Sequence, residues 1–192
     1  MVHSTKQRLL DTGMVMLLER GYHDLGIQAL LKATGVPKGS FYHHFESKQD
    51  FALAVVDQYM DEVHRALKSC LRDSSRPPLE RVRRFFECTR EKYRREGYLG
   101  CLLGSLGQEL AATSEIFRKR IDECLAFVSS SIAACLEEAS DELPAGIEAQ
   151  QLADIILDSW EGAALRTRLS RDSAPLDAVM SYYFGAPAAT PC

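Results

Sequence analysis

The stretch from Gly35 to Lys48 gathers side chains that can hydrogen-bond a polyanion and reach base edges: Lys38, Ser40, Tyr42, His43, His44 and Lys48, with Gly39 among them. Lysine suits phosphates and the acceptor edge of guanine, hydroxyls and imidazoles suit phosphates or bases, and a glycine lets a partner come close to the backbone. Cys101 offers a second chemistry, since this thiol follows Gly100 at a break in the helical pattern. A cysteine that opens a helix faces unpaired amide N–H groups, which favour the thiolate, and a thiolate can attack an electrophile. No metal site is expected, because His43, His44 and Glu46 lack the one-face spacing that ligation needs. Catalysis is not expected either: G-x-S-x-G, H-E-x-x-H, Walker and G-x-G-x-x-G patterns are absent, Gly104-Ser105-Leu106-Gly107 has the wrong spacing, and no histidine follows His64. Nothing in the sequence asks for a cofactor.

Those residues need elements to carry them. Helical periodicity runs through almost every segment and strand alternation through almost none, so the expected class is all-α. Leu9, Gly13, Met16 and Leu17 line one face of a first helix that ends near Gly21; a second helix covers about Ile27 to Thr34, and a third starts around Pro37, where a missing N–H does no harm. Gly35 can take the left-handed conformation of a tight turn, and Leu30, Val36, Phe41 and Phe45 can pack the second and third helices onto the first. Residues 27 to 45 therefore read as a helix-turn-helix whose second helix exposes Lys38, Gly39, Ser40, Tyr42, His43 and His44.

Ser47 to Asp50 forms a capping-box-like start to a long helix with the stripe Phe51, Val55, Tyr59, Val63, Leu67 and Cys70, broken by Ser74-Ser75-Arg76-Pro77-Pro78. The next helix has Val82, Phe85, Phe86, Thr89 and Tyr93 on one side and Arg81, Arg83, Arg84, Arg90, Arg94 and Arg95 largely elsewhere; these arginines could face an anionic ligand, but a solvated face is the first expectation. After Gly97 and Gly100, a helix from about Ser114 to Ala139 buries Ile121, Leu125, Val128, Ile132 and Leu136. Pro144 and Gly146 mark a break, helices follow over about 147–169 and 175–184, and a Pro/Ala tail frays. Leu152, Ile155, Ser159, Gly162 and Ala163 give the first of these two helices small residues that let another helix approach, while Leu176, Val179 and Tyr183 give the second an apolar face. Trp160 suits a core or an interface equally. The expected domains are 1–46, carrying the helix-turn-helix, and 47–192, for ligand binding and dimerisation.

A chain of 192 residues can bury a real core, and 46% hydrophobic with 26% charged residues is ordinary globular composition. The net charge of −4 rules out nucleic-acid binding over the whole surface, but residues 1–50 carry six basic and five acidic side chains, +1, leaving −5 for the rest. Cys70, Cys88, Cys101, Cys124, Cys135 and Cys192 are irregularly spaced, and no secretory leader is seen, so reduced thiols in a cytoplasmic protein are expected. Buried packing is the expectation for Cys70, Cys88, Cys124 and Cys135. Neither uncharged run, Cys124–Leu136 or the Pro-broken one from Ala178, spans a bilayer.

The segment Gly35-Val36-Pro37-Lys38-Gly39-Ser40-Phe41-Tyr42-His43-His44-Phe45-Glu46-Ser47-Lys48 resembles the recognition segment of the TetR/AcrR family of bacterial repressors. The resemblance implies about nine helices, a homodimer whose eighth and ninth helices pair with their mates, a palindromic double-stranded DNA operator, and release on binding a small-molecule inducer. It also implies that Tyr42 and Lys48 grip the DNA backbone. Gly26 departs from the pattern, which often has Ser or Thr there; Gln28 can supply the missing polar contact. Gly100-Cys101-Leu102-Leu103-Gly104, with Glu109 downstream, is similar to the branch with the N-ethylmaleimide-reductase repressor and acrylate-responsive regulators, which detect reactive electrophiles. On that likeness Cys101, with Glu109 downstream, can serve as the sensor, and Phe85 and Phe86 are further candidate ligand residues; a non-covalent ligand with Cys101 merely lining its pocket, or plain packing of Cys101, are the other readings, and a purely structural helical dimer is the alternative to DNA binding.

Overall fold

The computed structural model describes residues 4–139, 143 and 146–185. Pro144 and the tail with Pro187, Pro191 and Cys192 lie outside the described residues. Among the described residues the chain forms nine α-helices and no strand: α1 Thr5–Arg20, α2 Ile27–Thr34, α3 Lys38–His44, α4 Lys48–Leu71, α5 Pro78–Arg95, α6 Leu102–Leu110, α7 Glu115–Glu137, α8 Ala149–Ser170 and α9 Ala174–Phe184. The chain divides into two compact units, Met1–Val63 with Leu102–Ile121, and His64–Cys101 with Asp122–Cys192. The divisions fall within α4, within α7 and at the Cys101–Leu102 peptide.

In the first unit, Ser4 caps α1 by accepting from the Gln7 N–H at 3.2 Å, and the helix stops at Gly21, where φ is 80°. α2 stops at Gly35 with φ 66°, a left-handed cap that costs an L side chain about 1 kcal/mol or more. Phe41, Phe45 and Phe51 hold α3 and α4 together, with ring centroids 5.0–5.5 Å apart and all three side chains buried. At the start of α4, Ser47 Oγ accepts from the Asp50 N–H, while the Asp50 carboxylate reaches back to the N–H of Glu46, both at 3.0 Å.

The second unit is built around Trp160, whose ring lies 4.8 Å from Phe86 and 6.2 Å from Tyr93; Phe184 closes on Phe86 at 6.1 Å. Trp160 is therefore core. α9 packs against both α8 and α5. One arginine departs from the solvated-face expectation: Arg81 is only 5% exposed, donates to the Leu71 carbonyl at 2.7 Å and pairs with Glu138. It satisfies a carbonyl that the end of α4 leaves without a helical partner. Cys88 also departs from expectation, being exposed, whereas Cys70, Cys124 and Cys135 are buried.

Gly13 carries the tightest packing in α1, since a Cβ there would run into the buried Phe51 ring. Gly13→Ala is expected to lower unfolding stability by about 1–3 kcal/mol, read as a fall in the urea midpoint with an unchanged slope.

Candidate DNA interface and sensor site

α3 turns its apolar residue inward and its polar ones out. Phe41 is fully buried, whereas Lys38, Gly39, Tyr42 and His43 are exposed and Ser40 and His44 half-buried. Lys38 Nζ stands 5.9 Å from the Tyr42 ring centroid, so a cation and a phenol share one patch. A Cβ at Gly39 would meet nothing within 4 Å. Packing inside the chain thus does not demand glycine at this position, and a closely approaching partner would. Gln28 on α2 is exposed, and Gly26 precedes α2 without any side-chain cap.

Lys48 is held differently from the other polar residues. Its ammonium donates to the His23 carbonyl at 3.1 Å and lies 4.6 Å from the Tyr22 ring centroid. From the other side, Glu109 of α6 accepts from the N–H groups of Tyr22 and His23 at 2.7 and 2.6 Å and from the His23 ring at 2.6 Å. Burial works against the ionised Glu109 carboxyl, but the two amides and His23 outweigh it and hold its pKa below the ordinary value. The Tyr22 phenol is pushed up, by burial first and by the Glu109 charge second. Expected beside a ligand, Glu109 instead clasps the α1–α2 turn. No local pattern reports this contact, because it joins residues 86 and 87 positions apart.

Cys101 immediately precedes α6 and is 7% exposed. Its segment lies along one face of α8. Arg168 donates to the Leu99 carbonyl at 3.3 Å, a Cβ on Gly100 (φ +81°) would sit 3.3 Å from the Ala164 carbonyl, and the Cys101 thiol is near enough to the Glu161 carboxyl to pull its pKa down. Positions 161, 164 and 168 are successive turns of one helical face. Burial pushes the Glu161 carboxyl up to about 7; the neighbouring Cys101 thiol acts against that rise, and Asp158 adds to it. Glu161 is not among the residues expected to act, although an acid set between Trp160 and the small residues Gly162 and Ala163 is itself a signal. Phe85 and Phe86 belong to the buried aromatic cluster, with Phe86 packed on Trp160.

The expected dimer residues divide into two sets. Leu152, Ala163 and Leu176 are buried within the unit, Leu176 completely, because α9 uses its apolar side against α8 and α5. Val179 and Tyr183 are half-buried, and Tyr183 shares a 2.9 Å hydrogen bond with Ser159. Outward stand Ile155 and Gly162, joined by Leu165, Leu169 and Tyr182, which the sequence reading missed. A Cβ on Gly162 would again meet nothing within 4 Å.

An exposed polar helix, set by a glycine turn on an aromatic core and followed by a helical unit of its own, defines a helix-turn-helix DNA-binding transcriptional regulator. Residues 9–55 match the family described as bacterial regulatory proteins, tetR family, and residues 78–183 match the tetracyclin repressor-like C-terminal domain. The chain belongs to the TetR family. It is similar to the transcriptional regulator AcuR of Cereibacter sphaeroides, with 39% identity over 173 residues, 88% of this chain and 79% of that one. It is 32% identical to the HTH-type transcriptional repressor DhaR of a Mycobacterium species over 183 residues, 94% of this chain and 91% of that one. The crystal structure of the reduced form of Escherichia coli NemR superposes with a TM-score of 0.85 at 30% identity, covering 99% of this chain and 100% of that one. These relatives are named as regulators or repressors, not enzymes. Among the described residues, no helix is long and apolar enough to cross a membrane.

Two outcomes follow from this geometry. Glu109→Ala leaves two backbone donors without their anion and is expected to cost about 1–3 kcal/mol, measured as lost protection of the Tyr22 and His23 amides in hydrogen exchange and as a lower urea midpoint. Glu161 has its folded pKa raised to about 7, so the protein binds its proton more tightly when folded. The stabilisation it contributes is complete below its unfolded pKa, roughly 4.3, and is lost as pH rises to about 7. Glu161→Gln is expected to flatten the fall in stability over that window by roughly 1–3 kcal/mol, read from urea midpoints at stepped pH.

Proposed function

We propose that this protein is a cytoplasmic homodimeric repressor that binds a palindromic operator and leaves it when Cys101 reacts with a small electrophile. Residues 1–46 are the DNA-binding part and 47–192 the ligand-binding and dimerisation part. The exposed face of α3, with open space at Gly39, carries the DNA reading. Lys38, Gly39, Ser40, Tyr42, His43 and His44 enter the major groove, with Gln28 and Lys48 at the phosphates. One Lys48 proton already goes to the His23 carbonyl, and an ammonium has further protons to give a phosphate. Ile155, Gly162, Leu165 and Leu169 lie on one flank of α8 and, with Tyr182, supply an apolar surface for a second copy.

The place of Cys101, directly before α6 and beside the Glu161 carboxyl whose pKa it lowers, supports the sensing role. Toward an α,β-unsaturated carbonyl, the sulfur bonds to the β-carbon and the π pair moves toward the carbonyl. The thiol proton passes to Glu161, when ionised, and ends on the α-carbon. The names of DhaR and NemR as repressors, and the description of the NemR structure as a reduced form, agree with a repressor open to thiol chemistry.

The test uses a gel shift on an operator selected with the purified protein, with intact-mass measurement in parallel. The wild type is expected to release operator as one adduct per chain appears, while Cys101→Ser stays bound at the same dose. Equal release by Cys101→Ser would overturn covalent sensing. Binding that does not weaken as salt rises would overturn the DNA role of the Lys38–Lys48 face.

A further inference from the structure

Within the second unit, the C-terminal halves of α4 and α7 border a groove of about 590 Å³, and Cys101 is not among its lining residues. Volumes of roughly 300–1,000 Å³ are typical of small-molecule sites. The floor is apolar: Leu67, Leu71 and Cys135 are buried and line it. At one end stands Phe127, 46% exposed, with the His64 ring set edge-on against it at 4.4 Å. Phe127 is among the few large apolar side chains that this protein leaves open to water.

The rim has one sign of charge. Lys68 and Arg72, four residues apart on the same flank, line the groove and make no ion pair with any described residue. The one acidic lining residue, Glu138, is neutralised by Arg81. That same guanidinium occupies the Leu71 carbonyl, which would otherwise turn the negative end of α4 toward the groove. An apolar floor beneath two unneutralised cations fits a ligand with a chain and an anionic head.

We propose that this groove binds an amphipathic organic anion, an aliphatic carboxylate whose chain lies on Leu67, Leu71 and Phe127 and whose head sits between Lys68 and Arg72. The span from position 64 to 72 is about 12 Å along the helix, which suits a chain of about ten carbons. This is a non-covalent site additional to the thiol and does not depend on what the thiol does.

Isothermal titration of the full chain, without DNA, with decanoate, 1-decanol and decylammonium separates the contributions of chain and charge. Decanoate is expected to bind about tenfold or more tightly than decanol, and decylammonium most weakly. Lys68→Gln with Arg72→Gln is expected to bring decanoate down to the decanol level and leave decanol unchanged. Ala134→Trp, at an exposed position on the α7 wall, is expected to block both by filling the groove. No binding of decanoate, binding no tighter than that of decanol, or wild-type affinity in the Lys68/Arg72 double variant would each overturn the proposal. Because no operator is present, these outcomes are independent of the repressor reading.

Discussion

The DNA-binding unit depends on one carboxylate. Where α1 gives way to α2, the backbone N–H groups of Tyr22, half-buried, and His23, exposed, both donate to a carboxylate, and a hydrogen bond to a charged group contributes about 1.5–3 kcal/mol. Glu109 accepts from both, and Lys48 donates to the His23 carbonyl of the same turn. One short turn is thus fixed by an anion from α6 and a cation from α4. This explains why Leu102–Ile121, far along the chain, belongs to the same compact unit as the first 63 residues. The direction of α2, and with it of α3, rests on this clasp together with the Phe41–Phe45–Phe51 cluster.

Local patterns were legible in the sequence, and long-range partners were not. The helix-turn-helix could be read because its signals lie within a few residues of one another: a 3.6-residue period, Gly35 at a left-handed cap, and Pro37 before a helix. The long helices came within two residues of their ends for the same reason. Glu109, Arg81 and Glu161 were misread or passed over because their partners lie 86, 57 and 60 positions away, and no periodicity reports such pairs. On α8 and α9 the sequence marked apolar and small residues but could not show which of them the protomer already uses. Leu176 went to the core, while Leu165 and Leu169, one and two turns past the chosen stripe, stayed outside.

Glycines separate packing from partnership. Gly13 is small because Phe51 fills the space, and Gly35 is glycine because its φ of 66° strains any other residue. Gly39 and Gly162 have neither reason: both have ordinary helical backbone and open space where a Cβ would be. Gly162 stands in a helix interior, where glycine costs about 1 kcal/mol relative to alanine, and Gly39 in the first turn of α3; packing within the described residues accounts for neither. One of the two stands on the face assigned to DNA and the other on the face assigned to a second copy.

Chain order adds a physical argument for Cys101 as the sensing position. Cys101 ends one compact unit, and Leu102 begins the helix of the other that carries Glu109. Seven residues of helix, about two turns, separate that first residue from the carboxylate on the α1–α2 turn. Gly100, with φ +81° and the Ala164 carbonyl close by, leaves the thiol little freedom to move along α8. An adduct on a cysteine that is 7% exposed needs volume the native packing does not give. The segment before α6 must then shift, and the peptide to Leu102 passes that shift to the start of the helix holding Tyr22 and His23. Under the proposed sensing at Cys101, a thiol placed further from the start of α6 would need a chain of packed side chains to do what one peptide bond would do from this position.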